Sequence, residues 1–346
     1  MQKPRINTMK ELSETIGVSR PTLSRYFQDP ASVRPTTSRK IRERLEEVDY
    51  VYNFLATRQN RKTTGLIGVV IPHFNDLFFT SLLEAIDASA RKKGFTIITQ
   101  SSHGDEAMEV KAVEKLRSMN ADGAIIAPLG VAGSNAAFQA ASKDFPIVFA
   151  DSRPCAPIEN ADFVGTDNAQ SIATMVKYLC REGDGPVFVS MPHLNSNAIE
   201  REQAYVRTMR ELGHEPCFVD SGNAPRTWEF EAYGFAVMDD HFSHQRYTGA
   251  TILCANDRIA IGAIRAANRH GLFARGREVR GRLRIAGHDD HPLSRYMFPA
   301  LTTIAQDIAG IAEAAIRLLT ERIGHDHGAR TVTVMKPAAL KLRESS

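Results

Sequence analysis

The stretch TIGVSRPTLSRYF, residues 15–27, sets a Gly, a Ser and a Pro at alternate positions and follows them with Arg and aromatic residues. Gly17 supplies the positive φ on which a preceding helix can end. Ser19 is placed to cap the next helix by accepting from the N–H groups of its first turn. Pro21 then falls in that first turn, where its missing N–H costs nothing. On a helix over residues 20–28, Leu23, Tyr26 and Phe27 share an inward face. Pro21, Ser24, Arg25 and Gln28 lie opposite, and Arg20 sits near the exposed N-terminal end. A helix, a tight Gly turn and a second helix with a polar outer face make a helix-turn-helix. Such a second helix enters the DNA major groove with its first residues near base edges, and the Arg fork suits guanine O6 and N7. Spacing alone leaves a plain helical hairpin equally open.

Outward from this stretch, residues 1–50 read as helices only. MKELSETI, residues 9–16, carries Met9, Leu12 and Ile16 at helical spacing, and Ile41, Leu45 and Val48 repeat the pattern. Thr36, Thr37 and Ser38 are the expected cap of that later helix. Residues 1–64 hold 13 Lys and Arg against 7 Asp and Glu, whereas the remainder holds 30 against 33. A basic head on a mildly acidic body points to a polyanionic partner for the head.

From residue 65 the texture changes to short apolar runs separated by helical segments. The runs are 66–71, 95–100, 123–128, 146–151, 185–190, 216–220, 250–256 and 283–290; the helices include 79–93, 107–119, 169–181, 198–212 and 257–270. Strands apolar on both faces and separated by helices mean parallel α/β sheets. The number of units exceeds one sheet, so two lobes with a ligand cleft between them are expected. Cys155, Cys180, Cys217 and Cys254 stand singly, which fits neither a disulfide framework nor a metal site; all four are expected to be small buried hydrophobes. The N-terminus lacks the apolar core of a secretory signal, and no run approaches the roughly 18 apolar residues of a membrane span, so the expected location is the cytoplasm.

The order of motifs over nearly the whole chain resembles the lactose/galactose-repressor family of bacterial transcription regulators. Residues 9–53 resemble the family's DNA-binding head. IGVVIP followed by DLFF is similar to its first body strand and N-P-F-F turn, with Asp76 and Leu77 replacing Asn and Pro. REQAY (201–205) is similar to its Arg-x-x-Gly/Ala-aromatic motif, and CANDRIAIGAIRA (254–266) to A-N-D-x-x-A-x-G. AGHDD (286–290), LTTIAQD (301–307) and the closing LKLRESS resemble its late motifs.

The resemblance implies an α/β chain with an all-α helix-turn-helix head at 1–50, a hinge at 51–64, and a two-lobed periplasmic-binding-protein-like body at 65–346. Lobe one is expected at about 65–165 and 292–325, and lobe two at about 166–291 and 326–346. In the head, Ser19, Arg20, Pro21, Thr22, Ser24, Arg25, Gln28, Arg34 and Thr37 match DNA-contacting positions, with Arg20 and Arg25 placed to read bases. In the hinge, Asn53 and Leu55 are candidates for DNA contact: Asn53 matches the family's hinge helix, and Leu55 offers an apolar contact between paired hinges. Gln59 stands where many members carry the Leu that wedges a base step apart, and Tyr52 replaces the usual Pro. In the body, Phe79, Asp151, Arg201, Asn256 and Asp289 match effector contacts. Carboxylates and Arg suit vicinal hydroxyls, and an aromatic face suits the C–H side of a sugar ring. Arg153, as an unpaired cation, would favour an acidic group on the ligand, and Trp228 is placed near the cleft.

The expected function is therefore a repressor controlled by a small effector, a sugar or sugar acid, with double-stranded operator DNA and a second copy of the chain as partners. No catalytic residue, metal or cofactor is expected. Phosphate-loop, nucleophile-elbow, dinucleotide and zinc-protease motifs are absent from the sequence. DDHFSH (239–244) and HDH (325–327) lack partners at ligand spacing and read as solvated surface. Two alternatives stand beside this reading: a periplasmic-type binding protein without a DNA role, and a nucleobase-responsive regulator dependent on a co-repressor.

Overall fold

The computed structural model describes residues 3–52, 63–130, 132–222, 224, 227–273, 282–324 and 330–346. The chain divides into two compact units, Met1–Thr64 and Gly65–Ser346. Hinge positions Asn53, Leu55 and Gln59, and the HDH tract, lie outside the described residues, as does the side chain of Gln28.

In the first unit, β1 (Arg5–Ile6) pairs in parallel with β2 (Asp49–Tyr50) around three helices, α1 (Met9–Ile16), α2 (Arg20–Gln28) and α3 (Pro35–Glu46). The expectation of helices only is corrected by this strand pair, which is too short to show as a period-2 pattern. Leu12, Ile16, Leu23, Tyr26, Ile41 and Val48 close a separate small core. Thr8 caps α1, and Gly17 ends it at φ 64°. Ser19 occupies the cap position of α2 without bonding its N–H groups, because its hydroxyl pairs with that of Thr22 at 2.9 Å. Arg34 is the cap residue of α3 and Pro35 its first residue, so Thr36, Thr37 and Ser38 lie inside the first turn rather than capping it.

In the second unit, a six-stranded parallel sheet is built from β3 (Leu66–Ile71), β4 (Thr96–Ser101), β5 (Gly123–Ile126), β6 (Ile147–Ala150) and β7 (Ala161–Thr166), joined by a later strand. Helix α4 (Leu77–Lys92) packs on one face, and α5 (Glu106–Ser118) and α6 (Ala132–Ala141) on the other. Beyond β7, helix α7 (Asn168–Leu179) begins a second lobe. There β8 (Val187–Val189), β9 (Thr251–Cys254) and β10 (Arg284–Ala286) form a three-stranded parallel sheet in the order β10-β9-β8. Helices α8 (Ser196–Glu211), α9 (Phe230–Ser243) and α10 (Asp257–Arg269) cover it. The run 216–220 makes only an isolated bridge, Phe188 to Phe218.

The remaining chain crosses between the lobes. Strand β11 (Thr303–Ala305) pairs antiparallel with β13 (Ala339–Lys341), and Leu301, Ile304 and Ala338 belong to the core of the second lobe. Helix α11 (Ile308–Ile323) returns to the first lobe, and β12 (Thr333–Lys336) pairs with β7 in the first sheet. This corrects the expected boundaries: 301–305 belongs with lobe two, and 333–336 with lobe one. Beyond β13, Ser345 is threaded into the second lobe; its hydroxyl donates to Ile285 O at 2.6 Å and accepts from Thr302 N at 2.8 Å. Of the cysteines only Cys254 is buried; Cys155 and Cys217 are exposed and Cys180 is half-buried, correcting the expectation for those three. No helix of the described residues is long and apolar enough to cross a membrane.

Candidate functional site

On the head, Ser19, Arg20, Pro21, Arg25 and Arg34 are exposed, and Thr22, Ser24 and Thr37 are half-buried. Helix α2 shows Arg20, Pro21, Thr22, Ser24 and Arg25 because Leu23 and Tyr26 are spent on the core, while Phe27 stacks on Tyr52 with ring centroids 4.5 Å apart. The result is a short rigid helix with two arginines outward, the arrangement that base-edge recognition in a groove requires.

In the second unit a cleft is lined by Phe79, Asp151, Arg201, Trp228, Asn256 and Asp289, all of them candidates from the sequence. Most follow the carboxyl ends of parallel strands. Asp151 directly follows β6, Asn256 follows β9 and Asp289 follows β10, while Phe79 lies in the first turn of the helix after β3. Open parallel sheets place ligands at this edge. Arg153 is the exception. It does not line the cleft; it pairs with Glu200 at 3.3 Å, lies 3.8 Å from the Phe163 ring centroid and donates to Met335 Sδ. The expectation of an unpaired cation there is corrected, because a carboxylate 47 positions away in sequence neutralises it.

Arg201 is buried and used on three sides. Its Nε donates to Asn168 Oδ1 at 3.1 Å, Nη1 to Ala255 O at 2.8 Å, and Nη2 to Asp289 Oδ1 at 3.0 Å. The same Asp289 oxygen accepts from Gln306 Nε2 at 2.7 Å and from His288 Nδ1 at 2.8 Å. Burial would raise the Asp289 pKa, but Arg201 and these bonds hold it down at about 2. Burial and the Arg201 charge push His288 down to about 4, so it is neutral, with Nδ1–H on Asp289 and Nε2 accepting from Ser171 at 2.9 Å. Asp289 keeps its backbone at φ 120°, a region that side chains avoid, and the three donors hold it there.

Asp151 is held differently. Its carboxylate accepts one side-chain bond, from Asn197 Nδ2 at 3.1 Å. Burial raises its pKa to about 7. Asn256 caps α10 by accepting from Ile259 N at 2.8 Å, and its Nδ2 lies 3.6 Å from Met191 Sδ.

The lobes meet across this cleft through residues that no local pattern announces. Asp76 caps α4 and accepts from Arg258 Nη1 of α10 at 2.9 Å. Arg258 also grips Glu231 through Nε and Nη2 at 2.8 and 2.7 Å. Trp228, the chain's single Trp, packs against the cores of both lobes, with its ring 5.3 Å from His73 and 5.5 Å from Phe230. It seats over Gly104, where a Cβ would lie 2.5 Å from Trp228 Nε1 and φ is +69°. Phe78, Met191, Asn195, Asn197, Phe230, His291 and Gln306 complete the lining. Of these missed residues Arg258 had a signal: a charged side chain inside an otherwise small and apolar motif. His241, in the tract read as solvated, is buried and bonds Asp220 O at 2.7 Å, a correction for that residue.

Comparison with known proteins accounts for both units. A helix-turn-helix model matches residues 3–52, and a periplasmic binding protein-like domain model matches residues 179–346. The HTH-type transcriptional repressor PurR of Vibrio campbellii (strain ATCC BAA-1116) is 24% identical over 333 residues, covering 95% of this chain and 96% of its own. The HTH-type transcriptional repressor CytR of Escherichia coli (strain K12) is 26% identical, covering 92% and 91%. The structure of the lac repressor dimer bound to operator and the anti-inducer ONPF superposes with a TM-score of 0.79 at 22% identity, covering 99% of both chains. Its helix-turn-helix head, its parallel-sheet body and repressors similar to it along nearly the whole length make the chain similar to the lactose/galactose-repressor family of DNA-binding transcriptional regulators.

Proposed function

We propose that this regulator is an operator-binding repressor switched by a sugar or sugar derivative in the cleft of its body. The observation that carries the effector class is the convergence of Asp151, Arg201, Asn256 and Asp289 with the Phe79 and Trp228 rings around one cleft. Fixed carboxylate and amide groups meet ring hydroxyls, and aromatic faces cover the apolar side of a ring. Both guanidiniums of the cleft are already paired with carboxylates, so a neutral sugar is favoured over the acidic one that an unpaired Arg153 would have suited.

On DNA, Arg20 and Arg25 contact base edges and Pro21 packs beside them. Ser19, Thr22, Arg34 and Thr37 mainly hold phosphates, Ser24 and Gln28 add further DNA contacts, and in the hinge Asn53, Leu55 and Gln59 contact DNA, with Gln59 at the position that faces the minor groove. Residues 51–64 act as the hinge. The working unit is a dimer held through the body, since palindromic half-sites match a two-fold axis; the similar lac repressor structure is a dimer on its operator. Such a regulator works in the cytoplasm, beside DNA. Effector and operator are linked only through their differential affinity for the lobe arrangements.

The test is a mobility shift of DNA flanking the protein's own gene, with and without a panel of sugars. Retarded DNA whose retardation one sugar alters supports the reading; no shift with any flanking DNA sinks the repressor role, and a shift that no sugar alters sinks the effector class.

A further inference from the structure

The cleft is unbalanced in charge and in hydrogen-bonding sense. Three carboxylates line it, Asp76, Asp151 and Asp289, against two guanidiniums, Arg201 and Arg258. Neither guanidinium is available as an anion site. Arg201 is paired with Asp289 and spends its other nitrogens on Asn168 and Ala255 O. Arg258 already faces two carboxylates, Asp76 and Glu231. The uncompensated charge is that of Asp151, which is 5% exposed and has no ion-pair partner among the described residues. A second acceptor points the same way: Asn195 Oδ1, also in the lining, is buried with no hydrogen-bond partner among the described residues. The third ingredient is aromatic. Trp228 stands 6.4 Å from Phe79 and 5.5 Å from Phe230, ring edge towards ring face, on the wall of the same cleft. One buried unpaired carboxylate, a second acceptor without a partner and aromatic faces together make an environment for a cation.

We infer that the effector carries a protonated amine, which Asp151 and Asn195 receive, so that the ligand class is a basic amino sugar rather than a neutral or acidic one. This deepens the sugar-effector reading and rests on it. The unpaired carboxylate explains the preference by desolvation: above pH 7, where Asp151 is ionised, a neutral hydroxyl leaves its charge uncompensated in the cleft, whereas an ammonium neutralises it.

The groups facing Asp151 are Arg201 from α8, which lowers its pKa, and Asp289 and Asp76 from the turns after β10 and β3, which raise it. With burial they leave Asp151 titrating at about 7 in the empty cleft. An ammonium ligand requires the ionised form, so binding expels the proton. The ionised fraction of a carboxyl titrating near 7 falls about tenfold as pH drops from 8 to 6, and affinity falls with it, by less than that factor because the amine gains protons over the same range. The amine itself gains protons over that range, so the fall cannot originate in the ligand.

The experiment is calorimetry on the full-length protein with matched hexoses, 2-amino-2-deoxyhexoses and hexuronates in the gluco, galacto and manno configurations. The expected result is one amine that binds at least tenfold tighter than its neutral parent and weakens between pH 8 and pH 6. The Asp151→Asn variant, checked for an intact melting transition, should bind that amine no better than the parent hexose; Asn is nearly isosteric and tolerates the φ of 67° found here. A neutral hexose bound as well as its amine would overturn the inference and leave the sugar reading standing. A hexuronate bound best would overturn it in the same way. Binding of none of the series would overturn both. An amine preference that survives in Asp151→Asn would remove Asp151 from the account and overturn the inference as stated.

Discussion

Replacing Arg258 by Met keeps most of the volume and removes the charge that joins the lobes. In the folded protein Arg258 Nη1 meets Asp76 at 2.9 Å, with side chains 14% and 6% exposed, so the pair is largely shielded from water. At that separation, with an effective dielectric near 20, the attraction is about 4 kcal/mol or more. Removing one partner of a buried pair costs about 3–5 kcal/mol because the other charge is stranded. Two features soften this. Asp76 retains the Phe78 N–H bond at 3.0 Å, and burial already raises its pKa, so it can escape as a neutral acid. Glu231, 42% exposed, rehydrates readily. A net bias of about 2–3 kcal/mol against the bridged arrangement remains, a factor of roughly 30–150 in the lobe equilibrium. Trp228 reports it, because it is the chain's only indole and packs on both lobes. In Arg258→Met its emission should shift to the red and its quenching by acrylamide should rise. The double variant with Asp76→Asn should recover much of the wild-type signal, since no charge is then stranded. Unchanged emission, unchanged quenching and an unchanged scattering radius in Arg258→Met would refute the claim that this pair holds the lobes together.

Four further outcomes are expected. Asp289→Ala weakens effector binding tenfold or more in calorimetry, because Arg201, Gln306 and His288 lose their common acceptor, while operator affinity measured by anisotropy stays near wild type. Arg25→Ala costs about 1–3 kcal/mol on the best operator and relaxes preference at one base pair of a variant panel; an equal loss on every sequence would reassign Arg25 to the backbone. Asp151→Asn changes the pH dependence of melting. A carboxyl raised from 3.8 to about 7 on folding destabilises the native state above pH 7 and costs nothing below pH 4. The variant should therefore melt a few degrees higher than wild type at pH 8, and the gap should vanish near pH 4; the opposite slope would contradict the assignment. Light scattering at micromolar concentration should give twice the 38.3 kDa chain mass, and a monomer or stable tetramer would overturn the body-held dimer.

How legible these features were depended on how local their causes are. Helix α1 and strand β3 begin and end where their apolar periods do, and α2 runs from Arg20 to Gln28 as its spacing predicts, because caps, glycines and alternation act within a few residues. Asp151 and Asp289 could be named because each follows an apolar strand in a motif of known order. What stayed hidden depends on long-range pairing. Glu200 removes Arg153 from the list of free cations, and Arg258 meets Asp76 across 182 positions. The positions of β11 and β12 follow from sheet neighbours far away in sequence, which no window of ten residues contains. Ser19 departs from its expected cap because a neighbouring hydroxyl, Thr22, competes successfully for it.

The threading of Ser345 between Ile285 and Thr302 has a consequence for synthesis. The head closes its own core from residues 6–48, so it can fold soon after it leaves the ribosome. The second lobe cannot: its core includes Ala338, Leu340 packs against that core, and its edge is pinned by Ser345. At about 5–20 residues per second, the interval between the two is roughly 15–60 s. Throughout that interval the nascent chain presents a finished DNA reader with no finished cleft to govern it. With the proposed dimer and effector control, a ribosome-bound chain would be a single, ungoverned head, and translation speed would set how long that state lasts.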